Sequence, residues 1–357
     1  MSLVAKKSPK ESSAHPFEVQ GPLRRLPLVT LYVTERCNSR CVTCDYWRHG
    51  RGDMRLESVA RLLPDLAKLG TQIVLLSGGE PLLNPEWAQI GELLRSKGLK
   101  VWLLTSGLSL AKHARRAAAL FDAITVSLDG TNGKTYAAIR GLDAFDRVCE
   151  GVRTAVAAGR PPSLRVTLQR ANYRELPAFV DLARAIGARQ VSFLAVDVAN
   201  SHAFGRAGAS HLDLAPSPQD LPEFEQCLNS LERDHAADFR SGFIAETPQK
   251  LRRILQYFAA LHGEAAYPTV HCNAPEFSAV LDAAGRVHPC FFIAGPPDAR
   301  VLGTGGESEG NFSNALNVDG MAALRAAVSS GGRAECKTCV CSMWRDPDTI
   351  DSAALLM

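Results

Sequence analysis

LVTLYVTERCNSRCVTC, residues 28–44, couples a run of apolar and β-branched residues to three cysteines spaced C-x3-C-x2-C. The run reads as a strand, and Cys37, Cys41 and Cys44 follow it almost at once. If the strand belongs to a parallel sheet, the cysteines stand at its C-terminal mouth, where α/β proteins hold their ligands. The sequence beyond supports that sheet. Further strand-like runs occupy 72–76, 100–104, 123–128, 163–168 and 190–194, and stretches of helical period occupy 56–69, 86–97, 109–120, 144–158 and 174–186. Gly70, Gly98, Gly159 and Gly187 close several of these helices, as a left-handed C-terminal cap requires. Strands alternating with helices specify βα units. Six of them give a partial (β/α)6 TIM-like barrel, too few to close eight strands.

After residue 195 the pattern changes. Residues 196–220 are rich in Gly, Pro and Ser and lack a sustained period, which reads as a long loop. Helical stretches follow at 219–233 and 248–262, then a segment poor in apolar runs that holds the late cysteines and the loop GTGGESEGN. The expected organisation is a flexible tail at 1–26, the barrel at 27–215, a helical connection at 216–262, a small cysteine-rich domain at 263–345 and a tail at 346–357.

The chain has 357 residues, of which 46% are hydrophobic, and 40 basic against 37 acidic side chains leave a net charge of +3. That composition excludes a disordered or fibrous chain, and the balanced charge offers no footprint for nucleic acid or an anionic membrane. No run reaches the roughly 18 apolar residues of a membrane span, and the N-terminus has no apolar signal core. A cytoplasmic location is therefore expected. In such a reducing compartment clustered cysteines serve metals or redox chemistry more often than disulfides. Eight of the ten are clustered: Cys37, Cys41 and Cys44, then Cys272 and Cys290, then Cys336, Cys339 and Cys341. The others, Cys149 and Cys227, share helical faces with apolar residues and read as core thiols.

Three thiolates on one loop can ligate three irons of a 4Fe-4S cluster and leave the fourth open to a ligand. A zinc site is the alternative, but zinc commonly draws its ligands as two separated pairs. The second strand ends in Ser77-Gly78-Gly79-Glu80-Pro81. Two glycines permit close backbone approach, and a carboxylate suits an ammonium. Together the two motifs resemble the radical S-adenosylmethionine (radical SAM) superfamily, in which a GGEP segment grips the methionyl amino group. The resemblance spans roughly residues 28–344. It implies that Gly78, Gly79 and Glu80 bind the cofactor, with Thr105, Ser127 and Arg140 contributing, the last toward its carboxylate. The residue before the third cysteine, commonly aromatic in the family, is Thr43 here, with Tyr46 and Trp47 just beyond.

The late cysteines resemble the auxiliary-cluster domains called SPASM and twitch. Cys272, Gly285 and Cys290 give C-x12-G-x4-C, and Cys336 and Cys339 give a second pair. The resemblance implies one auxiliary 4Fe-4S cluster on Cys272, Cys290, Cys336 and Cys339, with Cys341 as a rival to Cys339. His271 and His288 flank cysteines and are assigned no role. Asp197 and Arg206, after the last strand, are expected to face a substrate.

The implied activity is reductive cleavage of S-adenosylmethionine to a 5′-deoxyadenosyl radical that abstracts a substrate hydrogen. An auxiliary cluster would then accept an electron, and a flavodoxin or ferredoxin would supply the reducing electron. Peptide maturases of this kind often carry an N-terminal recognition domain, and only about 27 residues precede the first strand. A small metabolite such as a sugar or aminocyclitol is therefore expected ahead of a peptide. A non-catalytic iron–sulfur or zinc protein would explain the cysteines but not the GGEP segment.

Overall fold

A computed structural model describes residues 21–200, 202–205, 211–301, 311–341 and 343–345. The expected N-terminal tail up to residue 20, Arg206, most of the GTGGESEGN loop and the C-terminal tail lie outside the described residues.

Six parallel strands form as the alternation requires: β1 (Leu28–Thr34), β2 (Ile73–Gly78), β3 (Lys100–Thr105), β4 (Ala123–Ser127), β5 (Ser163–Leu168) and β6 (Gln190–Ala195). They lie side by side in the order β6-β5-β4-β3-β2-β1. Between them run α1 (Leu56–Lys68), α2 (Trp87–Ser96), α3 (Leu110–Leu120), α4 (Gly133–Arg140), α5 (Phe145–Ala157) and α6 (Leu176–Ala185). The two faces of the sheet differ in kind. On β5, Leu164, Val166 and Leu168 are fully buried in the apolar core, while the alternate residues Ser163, Arg165 and Thr167 stand on the opposite, concave face and are only partly covered. Period-two alternation thus sets a helix-packed core behind a polar lumen.

The sheet continues past β1 into the C-terminal region. There β7 (Ser278–Leu281) pairs parallel with β1 from Leu28↔Ser278 to Leu31↔Leu281, and β8 (Val287–His288) returns antiparallel. The hairpin expected around Gly285 thus extends the barrel sheet itself. At the other edge, the segment after α7 (Leu221–Asp234) adds a parallel bridge, Val191↔Ile244, before α8 (Pro248–Leu261). The last long helix is α9 (Asp319–Ser329). Both ends of the sheet are therefore covered by chain from beyond residue 215, and the strand ends of β1 and β7 lie side by side.

Candidate active site

The cysteine loop leaving β1 is held by its own polar residues. Arg36 makes a two-point contact with Asp53, with Nη2 2.7 Å from Oδ2 and Nε 3.2 Å from Oδ1, and also donates to the Leu83 carbonyl. Further along, the Arg40 and Val42 amides donate to the Arg140 and Ile139 carbonyls at 3.0 Å, which ties the loop to the end of α4. Asn38 reaches the turn after β3, with Oδ1 3.4 Å from Ser106 Oγ and Nδ2 3.3 Å from Ser109 Oγ.

The Gly78-Gly79-Glu80 turn is laced to the same loop. The Gly79 amide donates to the Thr34 carbonyl and the Glu80 amide to the Arg36 carbonyl, both at 2.8 Å. Gly78 has φ +122°, and a Cβ on Gly79 would stand 2.2 Å from the Arg36 carbonyl oxygen. Glycine is required at both positions by backbone conformation and contact. Glu80 is 0% exposed. Its Oε1 accepts from Thr105 Oγ1 at 2.7 Å and from the Leu82 amide at 3.2 Å, and its Oε2 accepts from the Ser106 amide at 2.7 Å. A carboxylate offers about four acceptor positions, so one remains for a further donor. Thr105, expected beside the cofactor, fastens Glu80 to the end of β3.

Arg140 is brought to the cysteines by α4, a helix too short for the sequence pattern to show. Its Nε lies 2.8 Å from Asp129 Oδ2, both side chains nearly buried, and its Nη1 donates to Cys41 Sγ at 3.4 Å. Burial works against the Arg140 charge, but Asp129 and Cys41 outweigh it and hold its pKa above the ordinary arginine value. Ser127 ends β4 directly beside Arg165 of β5. Asp197 turns back on its own loop, its Oδ1 accepting from the Ala199 and Asn200 amides at 3.0 Å.

Burial pushes the thiol of Cys37 up to about 11 and that of Cys44 up to about 12, so without metal both are protonated. Ligation would release those protons. Donors already point at sulfur: the Ser39 amide lies 3.5 Å from Cys37 Sγ, beside the Arg140 contact to Cys41. Hydrogen bonds to cysteine sulfur are a usual means of tuning an iron–sulfur cluster. Among the described residues no three His, Cys, Asp or Glu side chains are placed to hold one metal ion together. In a cubane each cysteine ligates a different iron.

Cys272, Cys290, Cys336, Cys339 and Cys341 line a single apolar pocket with Phe291, Phe292 and Met343. Burial pushes Cys290 up to about 12 and Cys336 up to about 11. The Phe292 amide donates to Cys290 Sγ and the Cys341 amide to Cys339 Sγ, both at 3.4 Å. Donation from its own amide to Cys339 does not bar Cys341 from the pocket, so five thiols are gathered where four suffice. His288 is a packed structural residue: its Nε2 lies 3.2 Å from Asp282 Oδ2, and its Nδ1 accepts from the Gly295 amide at 3.0 Å. Between the two cysteine groups stand three rings, Tyr46 edge-on to Tyr32 at 6.1 Å and Tyr32 against Phe291 at 6.3 Å. Of the two isolated cysteines, Cys149 is buried in the core on α5, and Cys227 is half-buried on α7 and packs against it.

A family model described as the radical SAM superfamily matches residues 31–183. An AdoMet-dependent heme synthase of Methanosarcina barkeri is 30% identical over 279 residues, 74% of this chain and 77% of the relative. An Fe-coproporphyrin III synthase of the same organism is 30% identical over 164 residues, 44% of this chain and 40% of that protein. Among solved structures, Streptococcus suis SuiB bound to its precursor peptide SuiA superposes with a TM-score of 0.61 at 14% identity, covering 85% of this chain and 67% of SuiB. At that identity the likeness is one of fold. No helix among the described residues is long and apolar enough to cross a membrane.

Proposed function

This chain belongs to the radical SAM superfamily, and we propose that it oxidises a small molecule, with Cys37, Cys41 and Cys44 holding the catalytic cluster and the late cysteines an auxiliary one. As a member of that superfamily it is an enzyme that uses a 4Fe-4S cluster and S-adenosylmethionine. When bound, these supply a 5′-deoxyadenosyl radical able to take one hydrogen from a substrate. The observation that carries the reading is the pair of 2.8 Å hydrogen bonds by which the Gly79 and Glu80 amides join the carbonyls of Thr34 and Arg36, at the root of the cysteine loop. They set the last free acceptor position of Glu80 close to Cys37, where a methionyl ammonium would need it. Gly78 and Gly79 leave room for the ligand, and Arg140 steadies Cys41 and carries positive charge to a site that gathers thiolates. A largely apolar pocket gathers Cys272 and Cys290 with the other late cysteines.

A small molecule is favoured over a peptide because the sequence relatives above are named for making heme and Fe-coproporphyrin III. The peptide-bound SuiB supports the alternative, a peptide maturase, through fold alone. Electron paramagnetic resonance of the reduced, anaerobically reconstituted protein tests the cluster assignment. Two 4Fe-4S signals are expected, of which S-adenosylmethionine shifts one, and the Cys37→Ala variant loses the one that shifts. A cofactor-induced shift that survived in Cys37→Ala would overturn the assignment.

A further inference from the structure

Ser39 stands midway between Cys37 and Cys41 and is 1% exposed. Its Oγ is buried and has no hydrogen-bond partner among the described residues. Its neighbours in the loop are engaged. Thr34 Oγ1 donates to Asp53 Oδ1, Arg36 is fixed by the same carboxylate, and Asn38 is shared between Ser106 and Ser109. The backbone is committed as well, through the Arg40 and Val42 amides to the end of α4 and through the Asp45 amide to the Phe204 carbonyl at 2.9 Å. The loop is thus anchored on both sides of Ser39 without calling on its hydroxyl.

Leaving a buried hydroxyl unpaired costs free energy, and native structures do so rarely enough that an exception calls for a group to complete it. The Ser39 amide already donates toward Cys37 Sγ at 3.5 Å, so the hydroxyl on the same residue lies within a side chain's length of that sulfur. The acceptors that a 4Fe-4S cluster brings to such a loop are its thiolates and sulfides. We propose that Ser39 Oγ donates a hydrogen bond to the cluster held by Cys37, Cys41 and Cys44 and raises its reduction potential. Reduction adds negative charge to the cluster, and a donor aimed at its sulfur stabilises the reduced state more than the oxidised one. The spacing of the cysteines demands no hydroxyl at this position. The inference rests on the proposed function, which puts the catalytic cluster on these three cysteines.

Redox titration followed by electron paramagnetic resonance tests it, on anaerobically reconstituted wild type, Ser39→Ala and Ser39→Thr, with iron content checked in each. In Ser39→Ala the midpoint of the signal that S-adenosylmethionine shifts should move to more negative potential by more than the scatter between repeat titrations. Ser39→Thr keeps the hydroxyl and should stay near the wild type. The midpoint of the auxiliary signal should be the same in all three, since its cysteines line a different pocket. Ser39→Gly also removes the hydroxyl and serves should Ser39→Ala load too little iron. An unmoved midpoint in the variants without the hydroxyl overturns the proposal, and so does an equal shift in Ser39→Thr, which a general disturbance of the loop would produce. Altered S-adenosylmethionine affinity at an unmoved midpoint would give the hydroxyl to the cofactor instead, and loss of the cluster from both Ser39→Ala and Ser39→Gly would make Ser39 a structural residue; either result overturns it too. A wild-type signal that S-adenosylmethionine fails to shift would count against the proposed function itself and is distinct from all of these.

Discussion

Glu80→Gln should destabilise the protein and weaken S-adenosylmethionine binding together, because the carboxylate joins the cysteine loop's neighbour to the end of β3. Three donors converge on it: Thr105 Oγ1 and the Leu82 amide on Oε1, and the Ser106 amide on Oε2. Glutamine offers one oxygen and one N–H2 group. With the oxygen on the Oε1 side, the amide nitrogen faces the Ser106 N–H, and with the amide flipped it faces the Leu82 N–H. Either way one buried backbone donor loses its acceptor. A lost hydrogen bond to a charged group costs about 1.5–3 kcal/mol, and two opposed donors at a fully buried site add to it, so about 2–4 kcal/mol is expected. Urea unfolding of the two proteins, compared by midpoint at constant slope, reads that difference directly. Titration of the same variant with S-adenosylmethionine reads the second effect, since the Thr105–Ser106 turn and the free acceptor position are lost together. A variant within about 0.5 kcal/mol of wild type, the range of a neutral surface change, would refute the bracing role. Lost stability with unaltered cofactor affinity would refute the binding role alone.

Simultaneous replacement of Cys37, Cys41 and Cys44 by Ala should abolish S-adenosylmethionine cleavage and leave about four irons on the late cysteines, as iron analysis and a 5′-deoxyadenosine assay would record. Cys290→Ala should keep substrate-free cleavage in whatever protein remains folded, since its pocket is lined by none of the first three cysteines; loss of cleavage in a well-folded variant would contradict that separation. At Asp220 burial opposes the charge, yet hydrogen bonds from Ser217, Arg174 and Tyr173 prevail and hold the carboxyl well below the ordinary range. A depressed folded-state pKa stabilises above the unfolded value of about 3.9 and is lost as pH falls through the folded value. Asp220→Asn should therefore be about 1–3 kcal/mol less stable at neutral pH, with the gap narrowing below about pH 4. A gap that stayed constant from about pH 7 to about pH 2 would contradict it.

The six parallel strands were legible because each alternates or runs apolar over a few residues and is bounded by helical period, a local property. The pairing of β7 with β1 was not, since nothing local marks a four-residue strand 250 residues downstream as a neighbour of Leu28–Leu31. The site divides in the same way. Cys37, Cys41, Cys44 and the Gly78–Glu80 turn are read from spacing, because residues on one loop are close in sequence. The Asp129–Arg140 pair depends on α4, eight residues long and weakly amphipathic, and Thr105 acts on Glu80 from a different strand. Arg165 carried one overlooked signal: SLRVTL sets a charge at a lumen position of an otherwise apolar and hydroxyl-bearing strand. Its place becomes plain only when the register sets it between Ser127 and Ser192.

Anaerobic reconstitution followed by iron counting and a 5′-deoxyadenosine assay under strong reductant tests the central claim most directly. Two clusters on two cysteine groups predict about eight irons per chain and release of 5′-deoxyadenosine from S-adenosylmethionine. A protein that binds zinc in preference to iron, or that takes up iron yet leaves S-adenosylmethionine intact, would contradict the account.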